Sequence, residues 1–545
     1  MITKRSALFM GMIFIMLFAS ACGSAAATTE TPLDSQPVPE KYDTEEPAAT
    51  EAPAGIYEPE MPASEFFPQP TDSSSNPLLP HTGIPPASRE PYDMFFENYG
   101  VNPSIDTEDD NLSTFALDVD TGSYTLMRNY LSEGNLPPSD SVRVEEYVNY
   151  FDQGYPNPPA HQAFGITLDG AYSPFTETER YQMLRVGIQG YQVPEYERKD
   201  ASLTFVIDIS GSMDMDNRLG LVKRSLELLV EQLHPSDTVS IVVYGSEARV
   251  ALDPTPGSDK GRILDAIYSL HPEGATNAEA GIRLGYNMAM RAYNPHGINR
   301  VILCSDGVAN VGVTGPDEIL EEVDHYVEEG VTLTTIGFGM DNYNDVLMEQ
   351  LADNGDGFYA YVDDLREARR LFIDQITGTL QAIAMDAKVQ VEFNPEVVMR
   401  YRLVGFENRA IDDEDFRNNS VDAGEIGAGH SVTALYEVKL YPEAYGNVAT
   451  VFMRWQDPDT RQVVELSRDF YTSEIKDEFA QADPYFQRSV IVAEFAEILK
   501  KSYWAEKSSL SFVYHEAQRV SETLPWDEDM GEFMELIRRA SHLTD

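Results

Sequence analysis

The sequence predicts an α/β fold in which helices cover both faces of a mostly parallel sheet. Strand-like apolar runs recur through the middle of the chain, at residues 203–209, 238–244, 301–304, 331–336 and 358–362. Helical spacing of apolar residues lies between them, at Val222, Leu226, Leu229 and Leu233 and again at Ile319, Val323 and Val327. Nearly continuous apolar strands that alternate with helices are typical of a parallel sheet buried on both faces.

The segments on either side of this α/β part, residues 201–373, have different patterns. Ahead of it, residues 92–200 combine helical spacing with strand alternation, which predicts an α+β region. The helical positions are Tyr124, Met127 and Leu131, then Val144, Tyr147, Val148 and Phe151, and the alternating ones are Leu184, Val186 and Ile188. Behind it, residues 374–545 begin with alternating apolar residues and end with helical periodicity. We therefore expect a β-rich domain with a helical tail.

The charge of the chain narrows the classes of partner. Its 545 residues include 91 acidic and 39 basic side chains, for a net charge of −52. Nucleic-acid binding requires clustered Lys and Arg to neutralise phosphates, so this composition argues against it. The same surplus of acid disfavours electrostatic docking on anionic lipid.

The first 21 residues are typical of an export signal. Lys4 and Arg5 precede an apolar run at residues 7–18, and small residues then lead to Cys22. Ala19-Ser20-Ala21-Cys22 resembles the lipobox of bacterial lipoproteins, which implies cleavage before Cys22 and lipid attachment to it. The alternative is an ordinary signal peptide, or a short membrane anchor, with an incidental cysteine. The resemblance implies an exported protein, lipid-anchored to the outer face of the cell membrane, or to an outer membrane if one is present.

Residues 22–91 have the composition of a tether. They are rich in Pro, Thr, Ser, Ala and Glu, and such a segment buries too little apolar surface to fold. We expect an extended, solvated linker between the anchored cysteine and the folded domains. The second cysteine, Cys304, lies in an apolar run, so we expect a buried free thiol and no disulfide.

The segment Asp118-Val119-Asp120-Thr121-Gly122-Ser123 raises two alternatives. Aspartic proteases carry D-T-G-S, but they need a second aspartate that shares a proton, and no second D-[ST]-G follows. A calcium loop of the EF-hand type needs a Glu at loop position 12, which is absent here. We expect a turn followed by an N-capped helix.

Five oxygen-bearing side chains stand where an α/β sheet presents its binding edge. Asp208, Ser210 and Ser212 follow the first apolar run, Thr276 precedes a helical run, and Asp306 follows residues 301–304. The carboxyl ends of parallel strands meet at one edge, so we expect these side chains to lie together. Two carboxylates and three hydroxyls are hard ligands that suit Mg²⁺, with Ca²⁺ or Mn²⁺ as alternatives. At least one coordination position then remains for a carboxylate from outside.

The pattern D-x-S-x-S, then T, then D resembles the metal-ion-dependent adhesion site of the von Willebrand factor A (vWA) domain family. The resemblance implies a Rossmann-like vWA domain at residues 201–373 with those five side chains as metal ligands. Leu136-Pro137-Pro138 and Val142-Arg143-Val144-Glu145-Glu146 are similar to the region that precedes the A domain in a subfamily of bacterial lipoproteins. In that subfamily an uncharacterised domain follows the A domain, so the resemblance extends over residues 95–545.

These observations favour a cell-envelope lipoprotein that captures an acidic side chain of a protein partner through its metal. A structural envelope scaffold with a stabilising metal is one alternative. A metal-assisted hydrolase is a weaker one, because no His, Lys or additional Glu accompanies the five candidate ligands as a general base. We therefore expect a binding protein rather than an enzyme, with no catalytic residues.

Overall fold

The computed structural model describes residues 94, 96–176, 181–215, 218–307, 316–340 and 343–544. The predicted signal peptide at residues 1–21, the lipidation site Cys22 and the predicted tether at residues 22–91 lie outside the described residues. Within the described residues, no helix combines the length and the apolarity that crossing a membrane requires.

Strands and helices are numbered here in chain order. The strands are β1 (Ile105–Asp106), β2 (Leu112–Ala116), β3 (Phe164–Tyr172), β4 (Tyr181–Gly190), β5 (Ala201–Asp208), β6 (Thr238–Tyr244), β7 (Ala248–Pro256), β8 (Ile298–Ser305), β9 (Thr332–Phe338), β10 (Tyr359–Val362), β11 (Ala382–Phe393), β12 (Val398–Val404), β13 (Gly424–Gly427), β14 (Ser431–Leu440), β15 (Asn447–Gln456), β16 (Val463–Tyr471) and β17 (Ile475–Lys476). The helices are α1 (Gly122–Ser132), α2 (Val144–Asn149), α3 (Leu219–Gln232), α4 (Lys260–Ser269), α5 (Ala278–Arg291), α6 (Pro316–Glu328), α7 (Asp345–Asp353), α8 (Leu365–Arg369), α9 (Ile376–Leu380), α10 (Pro484–Lys500), α11 (Leu510–Ser521) and α12 (Glu528–Thr544).

The central sheet has the strand order β10-β9-β8-β5-β6-β7. Its first five strands are parallel, and β7 pairs antiparallel with β6 at the edge. Each of the five predicted apolar runs overlaps one of the parallel strands. The edge strand β7 was not predicted, because few of its residues are buried and its apolar pattern is weak.

Helices cover both faces of this sheet. On one face, Val222 of α3 belongs to the same cluster of buried apolar side chains as Phe205 of β5. On the other face, Ile282 and Tyr286 of α5 join Val206 in a second cluster. Neighbouring residues of β5 therefore pack on opposite faces, and every residue of that strand is buried. The predicted α/β fold with a mostly parallel sheet is confirmed.

The other two sheets are built jointly from the segments that flank the α/β part. One has the order β1-β12-β14-β4-β3-β17, and the other has the order β13-β11-β15-β16 with β2 also paired to β11. Their inner faces share one apolar core, to which Val186 and Tyr436 contribute from the first sheet and Val389 and Val451 from the second. The two flanking segments, predicted from the sequence as separate regions, thus fold together. The domain boundaries stay predictions.

A helical layer made of α1, α2 and α10–α12 has its own apolar core, which confirms the predicted helical tail. The ring of Tyr147 lies 5.6 Å from that of Tyr124 and 6.4 Å from that of Phe495. The predicted turn and helix after Asp120 are present, but the N-cap residue of α1 donates or accepts no side-chain cap hydrogen bond. Instead, Glu146 accepts a hydrogen bond from the backbone N–H of Ser123 at 2.7 Å.

Candidate functional site

The candidate site begins at Asp208, the last residue of the fully buried strand β5. Its carboxylate is 0% exposed. One oxygen, Oδ1, accepts a hydrogen bond from the backbone N–H of Ser210 at 2.7 Å. The other, Oδ2, accepts one from the hydroxyl of Ser305, the last residue of β8, at 3.1 Å. Two adjacent parallel strands therefore fix this carboxylate at their common edge.

The two serines of the D-x-S-x-S motif lie beside that carboxylate. The hydroxyl oxygens of Ser210 and Ser212 are 3.0 Å apart, which is hydrogen-bonding distance. Residues 211–214 form a single 3₁₀ turn, so both hydroxyls are presented by one tight loop. This geometry gives the motif a set of neutral oxygens next to a buried anion.

The loop that carries Thr276 is joined to this turn through the backbone. The N–H of Gly211 donates to the carbonyl oxygen of Gly274 at 3.1 Å. Gly274 has a φ of +79°, and a Cβ there would lie 2.6 Å from the hydroxyl of Ser246, so only glycine fits. The cap of α5 is Asn277, whose side chain accepts from the N–H of Ala280 at 3.2 Å. Thr276 is therefore not needed as the helix cap.

Asp306 completes the group, directly after β8, and is 4% exposed. Its Oδ2 accepts a hydrogen bond from Nη1 of Arg218 at 2.7 Å. The sequence does not identify Arg218 as part of the site, because its position one residue before α3 carries no recognised ligand pattern. A cationic residue at a helix N-terminus was the available signal, because that position normally favours acids.

Charge is concentrated at this edge. Burial, and then repulsion from Asp306, raise the pKa of Asp208 to about 6, although hydrogen bonds from Ser210 and Ser305 act in the opposite direction. Burial also raises the pKa of Asp306, against the effects of Ser212 and Arg218. Two anions are thus held in a poorly solvated place, where an additional cation would stabilise both charges.

The donor set fits a hard divalent cation. The structure brings Asp208, Ser210, Ser212 and Asp306 together and places Thr276 in the adjoining loop. Carboxylate and hydroxyl oxygens are the ligands that Mg²⁺ and Ca²⁺ prefer. The thiol of Cys304 is fully buried, and burial raises its pKa, so it fits the expected inert free cysteine.

A second group of possible ligands is committed to the fold. Ligand atoms of Asp200, His234 and Asp237 lie within 4.8 Å of one another. Asp237 already accepts from Nη2 of Arg198 at 2.7 Å and from the N–H of Ala201 at 2.7 Å. Those donors satisfy the carboxylate, so this group stabilises the start of β5 rather than offering oxygens to an ion.

Three family models match the chain in succession. The model described as von Willebrand factor matches residues 90–185, and the model of the von Willebrand factor type A domain matches residues 202–375. A model described as the C-terminal region of the uncharacterized protein YfbK matches residues 378–445.

Individual relatives agree with these matches. The uncharacterized protein YfbK of Escherichia coli (strain K12) is 41% identical over 350 residues, which are 63% of this chain and 61% of that protein. The inter-alpha-trypsin inhibitor heavy chain H3 of Homo sapiens is 26% identical over 273 residues, which are 44% of this chain and 28% of that one. The chain thus spans less than two thirds of the length of either relative.

A solved structure, a von Willebrand factor type A protein from Catenulispora acidiphila, aligns with a TM-score of 0.42 and 14% identity, over 68% of this chain and 89% of that one. The sequence matches show that the chain is homologous to YfbK. It contains a vWA domain, which is a protein-interaction domain, and it also contains a YfbK-like C-terminal region.

Proposed function

We propose that this protein binds a protein partner through a divalent cation held at the carboxyl edge of the central sheet. The ion would be Mg²⁺, or Ca²⁺ or Mn²⁺, with Asp208, Ser210, Ser212, Thr276 and Asp306 as its ligands. The observation that carries the proposal is the fully buried Asp208, hydrogen-bonded beside two neighbouring hydroxyls and repelled by Asp306. Such an arrangement is costly in isolation and favourable around a cation.

The partner would contribute an acidic side chain. A bound divalent ion with an open position acts as a Lewis acid toward an incoming carboxylate. The five proposed ligands would hold and orient that ion, and the exposed residues Gly211 and Ser212 leave room for the approach. The chain as a whole is strongly acidic, with a net charge of −52, so the ion is needed to reverse the local sign for an acidic ligand.

The proposed setting is the cell envelope. The lipobox-like segment Ala19-Ser20-Ala21-Cys22 supports an exported protein that is lipid-anchored through Cys22. The Pro-rich composition of residues 22–91 supports a tether that holds the binding domain away from the membrane. In this proposal the protein has no enzymatic activity of its own.

Metal-dependent capture on intact cells tests the proposal. Cells that express the protein are treated with a surface crosslinker in Mg²⁺ or in EDTA, and adducts are identified by mass spectrometry. We expect adducts that vanish both in EDTA and in an Asp208→Ala variant. Asp214→Ala is the matched control, because Asp214 is an exposed acid in the same turn.

The scaffold alternative predicts a different outcome of the same experiment. If the metal only stabilises the domain, Mg²⁺ raises the melting temperature, while the set of crosslinked partners is the same with and without EDTA. Adducts that persist in Asp208→Ala would contradict metal-bridged binding.

A further inference from the structure

Arg218 stands at a position that local helix energetics does not explain. It is the N-cap residue of α3, yet no side-chain cap hydrogen bond is formed there. Ser, Thr, Asp and Asn are the favoured N-cap residues, and the positive end of the helix dipole repels a cation. Arg218 is nevertheless 2% exposed. A buried charge in an unfavourable local position calls for a stabilising contact elsewhere.

That contact is the candidate metal site. Nη1 of Arg218 donates to Oδ2 of Asp306 at 2.7 Å and to the carbonyl oxygen of Ser212 at 2.9 Å. Nη2 donates to the carbonyl oxygen of Met340. One guanidinium thereby contacts the D-x-S-x-S turn, the residue that follows β8 and the segment that follows β9.

The backbone after β9 is shaped around this side chain. Gly339 has a φ of +81°, and a Cβ there would lie 2.7 Å from Cγ of Arg218. Glycine is therefore required both by the conformation and by the passage of the arginine. The absence of a side chain at Gly339 thus provides the space that the side chain of Arg218 occupies.

We propose that Arg218 sets the net charge of the metal site. It thereby lowers the affinity of the site for the ion and raises the affinity of the loaded site for an acidic ligand. This inference rests on the proposed function. The two carboxylates, Asp208 and Asp306, contribute −2, and the permanent charge of Arg218 reduces that to −1. With a divalent ion the site carries +1, which a carboxylate from a partner neutralises. Without Arg218 the loaded site would be neutral and would attract that carboxylate less.

This charge balance predicts two measurable effects on ion binding. Arg218 weakens cation binding, because it repels the ion that the carboxylates attract. It also disfavours trivalent ions more than divalent ones, since the repulsion scales with the charge of the ion. A residue that only held the loops in place would give neither effect, because its loss would weaken the binding of every ion.

Calorimetric titration of the purified protein with Mg²⁺ and with Tb³⁺ tests this role. Arg218→Gln removes the charge, Arg218→Lys keeps it, and Arg224→Gln is the control, because Arg224 is exposed on the same helix. We expect Arg218→Gln to bind Mg²⁺ about tenfold more tightly, with a larger gain for Tb³⁺. Arg218→Lys should stay within about threefold of the wild type, and Arg224→Gln should match it.

The possible results distinguish a failure of the charge role of Arg218 from a failure of the proposed metal-dependent binding. Arg218→Gln that binds Mg²⁺ equally or more weakly, while the wild type binds, overturns the charge role and leaves the metal site standing. Wild-type protein that binds neither ion overturns the proposed function itself. If Arg218→Gln fails to fold by circular dichroism, Arg218→Lys decides: affinity within about threefold supports the role, and a loss of about tenfold or more overturns it.

Discussion

Among the described residues, two of the groups of buried carboxylates differ in their neighbours. At the proposed metal site, Asp208 and Asp306 lie beside hydroxyls and the guanidinium of Arg218. In a second group, here called the buried ionic network, five buried carboxylates and the partly exposed Asp353 surround two arginines. Its members are Asp118, Asp120, Glu146, Asp345, Glu349 and Asp353, with Arg143 and Arg409.

The buried ionic network joins the three segments of the chain. Arg143 donates to Asp345 at 2.7 Å, to Glu349 at 2.6 Å and to Glu146 at 3.0 Å. Arg409, from the segment after the vWA domain, donates to Asp118 at 3.1 Å and to Asp353 at 2.8 Å. Guanidinium groups and backbone N–H groups occupy most of these oxygens.

The two groups differ in the donors that surround their carboxylates. Where N–H groups surround it, as at Glu349, the carboxylate is satisfied by the protein and holds segments together. At Asp208 the donors are one backbone N–H and the hydroxyl of Ser305, with no guanidinium, and neighbouring hydroxyl oxygens can turn toward an ion. We therefore expect the network to stabilise the fold and the edge at Asp208 to bind an ion.

The largest expected effect is on the structural side. Arg143→Ala leaves Glu146 and Asp345 without a guanidinium and leaves Glu349 with that of Arg409 alone, so we expect the free energy of unfolding to fall by about 3–5 kcal/mol. Equilibrium unfolding in urea measures it. Arg539→Ala is the control, because Arg539 pairs with Glu535 on the exposed side of α12, and it should cost less than about 1 kcal/mol. A loss below about 1 kcal/mol in Arg143→Ala would refute the structural role.

The network also predicts a pH dependence. Burial raises the pKa of Glu146 to about 8 and that of Glu349 to about 7, since Arg143 offsets only part of the cost. Folded pKa values above the ordinary ones mean that the folded state binds more protons, so stability falls as pH rises from about 4.5 to 8.

Glu146→Gln tests this dependence, because it removes the titrating group. Thermal unfolding of the wild type and the variant between pH 5 and 8 should give a shallower decline in the variant, by up to about 3–4 kcal/mol across the range. Glu465→Gln, on an exposed salt bridge to Arg417, is the control and should keep the wild-type slope. Parallel curves for wild type and Glu146→Gln would contradict the raised pKa.

The smallest effect concerns the metal site. Thr276→Ala removes one neutral oxygen that water can replace, so Mg²⁺ affinity should fall about tenfold or less. Thr276→Ser keeps the hydroxyl and should bind as the wild type does. Calorimetry on both variants distinguishes a ligand from a bystander. Equal affinities of the two variants would remove Thr276 from the ligand set.

The sequence predicted what depends on short stretches of chain. The parallel strands follow from local apolar runs, and the D-x-S-x-S turn with Asp306 follows from residues directly after two of those strands. The burial of Cys304 followed from its apolar neighbours in the same way.

Features that depend on distant pairing were not predictable. Strand β2 pairs with β11, placing Phe115 opposite Val389, and no local pattern specifies a partner so far along the chain. Arg143 and Arg409 were missed for a related reason. An isolated charged residue normally indicates solvent exposure, and only the folded structure shows which charges are buried together.

The central claim is that the edge formed by Asp208, Ser210, Ser212, Thr276 and Asp306 holds a divalent cation. Calorimetric titration of the metal-free protein with Mg²⁺, beside an Asp208→Asn variant, tests it most directly. We expect one Mg²⁺ per chain for the wild type, and none for the variant, which keeps the shape of the side chain but loses its charge. Equal binding by the two proteins, or no binding by the wild type, would contradict it.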